Sequence, residues 1–210
     1  MDKRFAIFDK DGTLIDSMKF WKNLASEYLS SKGITQVPDE VLQKIKPMTM
    51  SESADLFQEV FGLSGDVEAE MNAMMEAHYR NDILLKPGVR EYLGMLHEKG
   101  VRMCVASATA EPLMEACLSR LGIRDYFTFL LSCETVGAGK TDPLIYHESA
   151  KRLQAIPSEI AVYEDALYAV QTAKNAGYYV VGVHDEKATE NWQIIEDLAE
   201  EVIINWEEML

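Results

Sequence analysis

The chain has 210 residues and carries 35 acidic against 20 basic side chains, a formal net charge of −15. This acidity argues against a nucleic-acid partner, because phosphate backbones are bound by clustered lysine and arginine side chains. With 48% hydrophobic and 26% charged residues, the chain is an ordinary globular protein of one large domain or one domain with an insertion, neither disordered nor fibrous.

The cysteines and the lack of a long apolar run indicate the cellular compartment of the protein. Cys104, Cys117 and Cys133 are odd in number and lack metal-ligand spacing, which predicts free thiols in a reducing compartment. No run approaches the ~18 apolar residues of a membrane span, and the apolar start of the chain ends at Asp9. We therefore expect a cytoplasmic protein without membrane contact. Nothing in the sequence requires more than a monomer.

The first predicted element is a short strand that leads directly into two acidic residues. Phe5 to Phe8 is a continuous apolar run, which is typical of a strand buried on both faces of a parallel sheet. Such strands present their carboxyl ends to the ligand crevice, so Asp9 is expected at a strand end. Asp11 follows in a loop where Gly12 allows a sharp turn. The alternative is a solvated Asp-Gly turn without chemistry.

The next segment, residues 16–83, is predicted to be entirely helical. Apolar residues recur at helical spacing in four stretches, and polar residues or proline stand where each could begin. The candidate starts are Asp16 or Ser17, Pro38, Thr49 or Ser51, and Asp66, and Gly33, Pro47 and Gly62 mark ends. Nothing in this segment resembles a strand, so we expect an all-helical insertion after the first strand.

From residue 84 onward helical and strand patterns alternate, which is the signature of βαβ units. Strands are predicted at residues 101–106, 127–131, 160–163 and 179–183, with helices between them and after the last. The predicted fold is α/β, with a Rossmann-like parallel sheet. Its core comprises residues 1–15 and 84–210, and the inserted all-helical domain comprises residues 16–83.

Chemically useful side chains follow four of the predicted strands. Because the carboxyl ends of parallel strands face one edge, these groups should converge, and the first strand should lie between the second and the fourth. Pairs of acids can hold Mg²⁺ through oxygen ligands, and a hydroxyl with a lysine can bind phosphoryl oxygens. Each group alone also has a structural explanation, such as a helix N-cap or a surface charge. The groups are Asp9 with Asp11, Ser107 or Thr109, Lys140, and Glu164 with Asp165.

These motifs resemble those of the haloacid dehalogenase-like hydrolases, in the helical-cap subgroup that includes β-phosphoglucomutase and sugar-phosphate phosphatases. The matching segments are Asp9-Lys-Asp11-Gly-Thr13, Val105-Ala-Ser107, Gly139-Lys140-Thr-Asp-Pro143 and Val162-Tyr-Glu164-Asp165. The resemblance covers essentially the whole chain. Thr141 stands where proline is frequent and Ala166 where serine is usual, and neither change removes a group that the chemistry needs.

The resemblance implies a Mg²⁺-dependent phosphatase that works through an aspartyl-phosphate intermediate. Asp9 is then the nucleophile and a metal ligand. Asp11 is the general acid and base, and it also binds the metal through its backbone carbonyl. The implied phosphate or substrate contacts are Ser107, Lys140 and Thr13, of which Thr13 also orients the acid, and Asp165 completes the metal site with Glu164 in support.

Two other functions share parts of this pattern. A phosphomutase related to β-phosphoglucomutase usually has a histidine early in the cap and an arginine before a later cap helix, where an ungapped alignment places Trp21 and Met50. A receiver-type phosphoacceptor domain has its aspartate on an interior strand and lacks a helical insertion. A hydrolase of a small sugar or polyol phosphate is therefore favoured. Its specificity is expected to depend on cap residues, namely Trp21, Lys46, Met48, Thr49 and Met50.

Overall fold

The computed structural model describes residues 3–45, 48, 50–186 and 189–210. The chain forms two compact units, one of Met1–Met18 with Ile83–Leu210 and the other of Lys19–Asp82. The limits expected for the helical insertion, residues 16 and 83, differ from this division by three residues at the start and one at the end. No helix within the described ranges combines the length and the apolar character needed to cross a membrane.

The first unit is built around a parallel sheet of six strands. They are β1 (Phe5–Phe8), β2 (Arg102–Ser107), β3 (Phe127–Ser132), β4 (Ile160–Glu164), β5 (Tyr179–Val183) and β6 (Glu201–Ile203). The order across the sheet is β3-β2-β1-β4-β5-β6. The prediction that the first strand lies between the second and the fourth is confirmed, since Ile7 pairs with Cys104 on one side and with Val162 on the other.

The sixth strand is missing from the sequence prediction. β6 has only three residues and begins with a glutamate, so it is too short to show an apolar run or an alternation. It pairs with β5 at the edge of the sheet, where short strands with charged residues are usual because they discourage pairing with other chains.

The secondary structure described in the second unit is all helical, with short connections between the helices. These are α1 (Met18–Ser31), α2 (Asp39–Ile45), α3 (Met50–Phe61) and α4 (Val67–Asn81). Asp66 caps α4 as predicted, because its side chain accepts a hydrogen bond of 2.9 Å from the N–H of Ala69. Ser51 lies inside α3 and does not precede it. Thr49, the other candidate cap, lies outside the described residues, as do Lys46 and Pro47.

Six further helices lie in the described part of the first unit. They are α5 (Val89–Glu98), α6 (Glu111–Arg120), α7 (Cys133–Val136), α8 (Leu144–Leu153), α9 (Leu167–Asn175) and α10 (Trp192–Leu198). Helix α7 is a single turn of four residues. The hydroxyl of Ser132 begins it by accepting a hydrogen bond of 3.2 Å from the N–H of Glu134, and Gly137 ends it in the left-handed conformation.

The core of this unit encloses β1 on both faces, as its continuous apolar run predicts. The residues of β1 are at most 9% exposed. On one face the ring of Phe8 stacks on the ring of Tyr163 with 4.2 Å between centroids. On the other face Ile7 joins a hydrophobic cluster that includes Ile145 of α8 and Val170 of α9. The predicted thiols are free, with Cys104 and Cys117 buried and Cys133 half-buried.

Candidate active site

The loop after β1 holds the two acidic residues of the first motif in a tight turn. The N–H of Asp9 continues the sheet by donating to the carbonyl of Tyr163 over 2.9 Å. The carbonyl of Lys10 then accepts hydrogen bonds from the N–H groups of Leu14 and Ile15, at 3.0 and 3.1 Å. Gly12 has a φ of +84°, and a Cβ there would overlap the carboxylate of Asp165. This close approach leaves room only for glycine.

Three buried carboxylates meet at the carboxyl ends of β1 and β4. Among the acids that the structure describes, Asp9, Glu164 and Asp165 each offer an oxygen, and these oxygens lie within 4.8 Å of one another. Their residues are 7%, 1% and 8% exposed, respectively. The prediction that Asp9 and Asp165 lie close enough to share one cation is confirmed by this distance.

The three buried carboxylates need positive charge close by if they are all to be ionised. Burial raises the pKa of Asp9 to about 7, with Lys140 opposing the increase and with Glu164 and Asp11 adding to it. Burial and the charges of Asp9 and Glu164 also raise the pKa of Asp165 well above its ordinary value. Adjacent buried carboxylates disfavour full ionisation unless a cation is close. Oδ2 of Asp9 is buried and accepts no hydrogen bond from the described residues, so the donor set fits a divalent cation.

Lys140 supplies part of that charge. Its ammonium lies 2.5 Å from Oδ1 of Asp9 and 2.5 Å from Oε1 of Glu164, and the residue is 6% exposed. Burial alone would lower the pKa of Lys140, but the charges of Asp9 and Glu164 outweigh it and raise the pKa well above the ordinary value. Lys140 is therefore held as a cation against the carboxylate of Asp9.

Asp11 is not a member of the group of three carboxylates. Its Oδ2 accepts a hydrogen bond of 2.9 Å from the hydroxyl of Thr109 and lies 3.1 Å from the ammonium of Lys10. Its side chain is 18% exposed, more than that of any member of the cluster. This separation agrees with a division of labour in which Asp11 serves the metal only through its backbone, an assignment that remains a prediction.

The three predicted hydroxyl residues all lie at this edge of the sheet. The hydroxyl of Thr13 donates to Oδ1 of Asp165 over 3.2 Å, so this bond orients a carboxylate of the buried cluster, whereas the resemblance implied that Thr13 orients Asp11. Ser107 ends β2 and is 1% exposed, and its Oγ accepts a hydrogen bond of 3.2 Å from the N–H of Thr109. Phosphate binding by Thr13 and Ser107 remains a prediction.

Two residues of the site were not singled out from the sequence. Tyr146 of α8 donates its hydroxyl hydrogen to Oε1 of Glu164 at 3.0 Å, and Lys10 is fully buried beside Asp11. Lys10 carried a signal, since a charged residue between two acids at the end of an apolar strand is unusual. Tyr146 carried none, because a tyrosine in an amphipathic helix is most simply explained by packing.

The parallel sheet, with buried acids at its carboxyl edge, has the α/β architecture of a hydrolase. The chain belongs to the haloacid dehalogenase-like hydrolase family, whose sequence model matches residues 6–183. All four sequence motifs fall within the matched region. Related proteins named as phosphatases are consistent with a phosphoric monoester hydrolase.

Three related proteins show how similar the chain is to known members. It is 28% identical over 174 residues to a phosphorylated carbohydrates phosphatase of Thermotoga maritima, covering 81% of this chain and 80% of the relative. It is 28% identical over 180 residues to hexitol phosphatase B of Escherichia coli, covering 81% and 79%. A solved structure from Thermotoga maritima, provisionally described as a β-phosphoglucomutase, superposes with a TM-score of 0.81 at 25% identity, covering 97% and 95%.

Proposed function

We propose that this chain is a Mg²⁺-dependent phosphatase that hydrolyses a small phosphomonoester through an aspartyl-phosphate intermediate. The observation that carries the proposal is the environment of Asp9. Lys140 holds one carboxylate oxygen, Oδ1, at 2.5 Å. The other, Oδ2, is buried without a hydrogen-bond donor among the described residues. A carboxylate with one oxygen neutralised and the other available to bind a cation or to react suits a covalent nucleophile.

The residues that would hold Mg²⁺ are Asp9 and Asp165 through their side chains and Asp11 through its backbone carbonyl, with Glu164 in support. Carboxylate and carbonyl oxygens are the ligands that this ion prefers. When bound, the ion would offset the negative charge shared by the nucleophile and the phosphoryl group. The raised pKa values of Asp9 and Asp165 support this assignment. They indicate that two ionised carboxylates at this site are unfavourable without a bound cation.

The reaction proceeds in two halves. First, an oxygen of Asp9 attacks phosphorus, the bond from phosphorus to the leaving oxygen breaks, and Asp11 gives its proton to that oxygen. In the second half Asp11, now a carboxylate, takes a proton from water, and the water oxygen attacks the phosphorus. The bond to Asp9 breaks and inorganic phosphate leaves. Lys140 and Ser107 would bind the phosphoryl oxygens during both halves.

The helical insertion, residues 16–83, would act as a cap that selects the leaving group. A small sugar or polyol phosphate is the proposed substrate, and the names of the phosphatases from Thermotoga maritima and Escherichia coli support this class. Trp21, Met48 and Met50 are half-buried and are the described candidates for specificity. Lys46 and Thr49, the other two, lie outside the described residues.

The proposal is tested by a panel of phosphomonoesters assayed with Mg²⁺ and with excess EDTA. We expect phosphate release from sugar or polyol phosphates that EDTA abolishes. The variant Asp9→Asn should be inactive because no covalent route remains. Asp55→Asn, at an exposed position, is the matched control and should retain activity. Activity that survives in Asp9→Asn, or undiminished turnover in EDTA, would contradict the proposal.

A phosphomutase is the second candidate, because a similar solved structure is described as a β-phosphoglucomutase. The residues that stand at the usual histidine and arginine positions argue against it. Trp21 donates its indole N–H to the hydroxyl of Tyr79 over 3.2 Å, which is a packing role. Isomerisation of a sugar phosphate without release of inorganic phosphate would favour the mutase. A receiver-type domain is set aside because the chain belongs to a hydrolase family.

A monomeric, cytoplasmic enzyme remains part of the proposal. The free thiols of Cys104, Cys117 and Cys133 suit a reducing compartment, in which disulfides rarely persist.

A further inference from the structure

Lys10 is a charged residue that is fully buried. It lies between Asp9 and Asp11 in the sequence and is 0% exposed, although it stands in the loop that carries the catalytic acids. Removing an ammonium from water costs several kcal/mol unless opposite charge and hydrogen bonds offset the loss. Its ammonium lies 3.1 Å from Oδ2 of Asp11. This fully buried cation is thus directed at the proposed general acid.

Thr109 reaches the same oxygen from another loop. Its hydroxyl donates to Oδ2 of Asp11 over 2.9 Å. Its own backbone N–H donates to Oγ of Ser107 over 3.2 Å, which ties Thr109 to the end of β2. Lys10 is anchored as well, since its carbonyl accepts two hydrogen bonds within the β1 loop. One hydrogen-bond donor, Thr109, and one ammonium at ion-pair distance, that of Lys10, therefore approach the same carboxylate oxygen from two loops.

We propose that Lys10 and Thr109 are positioning residues that fix the carboxyl group of Asp11 for proton transfer to the leaving oxygen. The proposal rests on the proposed function, in which Asp11 is the general acid and base. Neither side chain loses a proton in the reaction: Thr109 acts through its hydrogen bond to Oδ2, and Lys10 acts through its positive charge beside the same oxygen. General acid catalysis requires the acid within hydrogen-bond reach of the leaving oxygen. A misplacement of ~1 Å can lower the rate by about 10²-fold.

The position of the acid matters most for substrates with poor leaving groups. A p-nitrophenolate ion leaves without protonation, whereas the alkoxide of a sugar or polyol needs a proton as the bond to phosphorus breaks. The ratio kcat/KM reports the steps up to the departure of the leaving group. The change of kcat/KM with the pKa of the leaving group therefore measures how much the acid contributes to that departure. A residue with only a structural role would lower activity on all substrates alike.

The experiment measures kcat/KM on a series of aryl and alkyl phosphates for Thr109→Val and Lys10→Met. Thr109→Val removes the hydroxyl at nearly constant volume, and Lys10→Met removes the charge at similar length. We expect kcat/KM for alkyl phosphates to fall by about 10- to 100-fold and to change far less for p-nitrophenyl phosphate. Asp11→Asn is the reference for complete loss of the acid. Tyr92→Phe, which breaks a buried hydroxyl pair with Tyr163 elsewhere in the core, is the control and should leave the leaving-group dependence unchanged.

The outcomes separate this inference from the function on which it rests. An unchanged dependence in Thr109→Val and Lys10→Met, together with a steep one in Asp11→Asn, overturns the positioning role and leaves the phosphatase standing. A wild-type protein that hydrolyses no phosphomonoester overturns both. If Lys10→Met does not fold, Thr109→Val decides, because Thr109 is half-buried and its replacement by valine preserves the shape of the side chain.

Discussion

Tyr146 donates a hydrogen bond to Glu164 over 3.0 Å, and both side chains are buried. The acceptor, Oε1, is the same oxygen that lies 2.5 Å from the ammonium of Lys140. Helix α8 thereby braces the end of β4, and Glu164 in turn braces the lysine that holds Asp9. Glu164 thus has a defined role in the protein alone, as the second counter-ion of Lys140.

The bond between Tyr146 and Glu164 predicts a measurable loss of stability in Tyr146→Phe. A hydrogen bond to a charged group contributes about 1.5–3 kcal/mol, against about 1 kcal/mol for a neutral pair. We therefore expect Tyr146→Phe to lower the free energy of unfolding in urea by more than Tyr92→Phe does, since Tyr92 shares its hydroxyl bond with the neutral Tyr163 at 2.9 Å. Equal losses in the two variants would mean that Glu164 draws no special stability from Tyr146.

Lys140→Met should be strongly destabilising as well as inactive. Removing one member of a buried ion pair leaves uncompensated charge and typically costs ~3–5 kcal/mol. The control is Lys174→Met, which removes an ion pair with Glu200. The side chains of Lys174 and Glu200 are 37% and 31% exposed, respectively. Exposed pairs contribute ~0–1 kcal/mol. Chemical denaturation of both variants checks the difference, and losses of similar size would contradict a charged, buried Lys140.

The raised pKa of Asp9 predicts how stability depends on pH without metal. Burial raises the pKa of Asp9 in the folded state to about 7 from an ordinary value of 3.8. A raised carboxyl pKa contributes stability that is present below the unfolded value and lost as pH rises through the folded one. The metal-free protein should therefore have a lower Tm at pH 8 than at pH 5, and Mg²⁺ should raise the Tm more at pH 8, because protons compete with the ion.

Asp165→Asn provides the matched test of that electrostatic argument. The substitution removes a buried carboxyl group whose own pKa is raised well above its ordinary value by burial and by the charges of Asp9 and Glu164. In metal-free buffer at pH 8 it should leave the Tm unchanged or higher than that of the wild type. The increment caused by Mg²⁺ should disappear in the same variant. Thermal scans with and without the ion measure both effects, and a full Mg²⁺ increment in Asp165→Asn would remove Asp165 from the metal site.

Asp11→Asn should separate metal binding from catalysis. Because the side chain of Asp11 contacts Lys10 and Thr109 and lies outside the carboxylate cluster, Mg²⁺ affinity measured by calorimetry should stay nearly intact. Turnover should fall by about 10²- to 10⁴-fold. With p-nitrophenyl phosphate, a burst of p-nitrophenol followed by a slow steady state is expected, because the second half-reaction still needs a base. Loss of Mg²⁺ affinity in step with activity would make Asp11 chiefly a side-chain ligand.

The sequence by itself determined which residues lie together at the site. Buried parallel strands appear as apolar runs, and their carboxyl ends share one edge of the sheet. For that reason Asp9 could be placed together with Lys140 and Asp165, although it lies more than a hundred positions before both. The helices of the segment after the first strand could also be predicted from the sequence, since amphipathic periodicity is a local property. The edge strand β6 was not, because three residues carry too little pattern.

Only the tertiary structure decided which atoms meet at that edge. Thr13 bonds Asp165, Thr109 bonds Asp11, and Tyr146 bonds Glu164, although the sequence allowed several partners for each. Hydrogen bonds require donor and acceptor within about 3 Å, and that distance depends on side-chain rotamers and on how the loops and helices pack. Residue order determines which strand end carries a group, but packing determines the direction in which the group points.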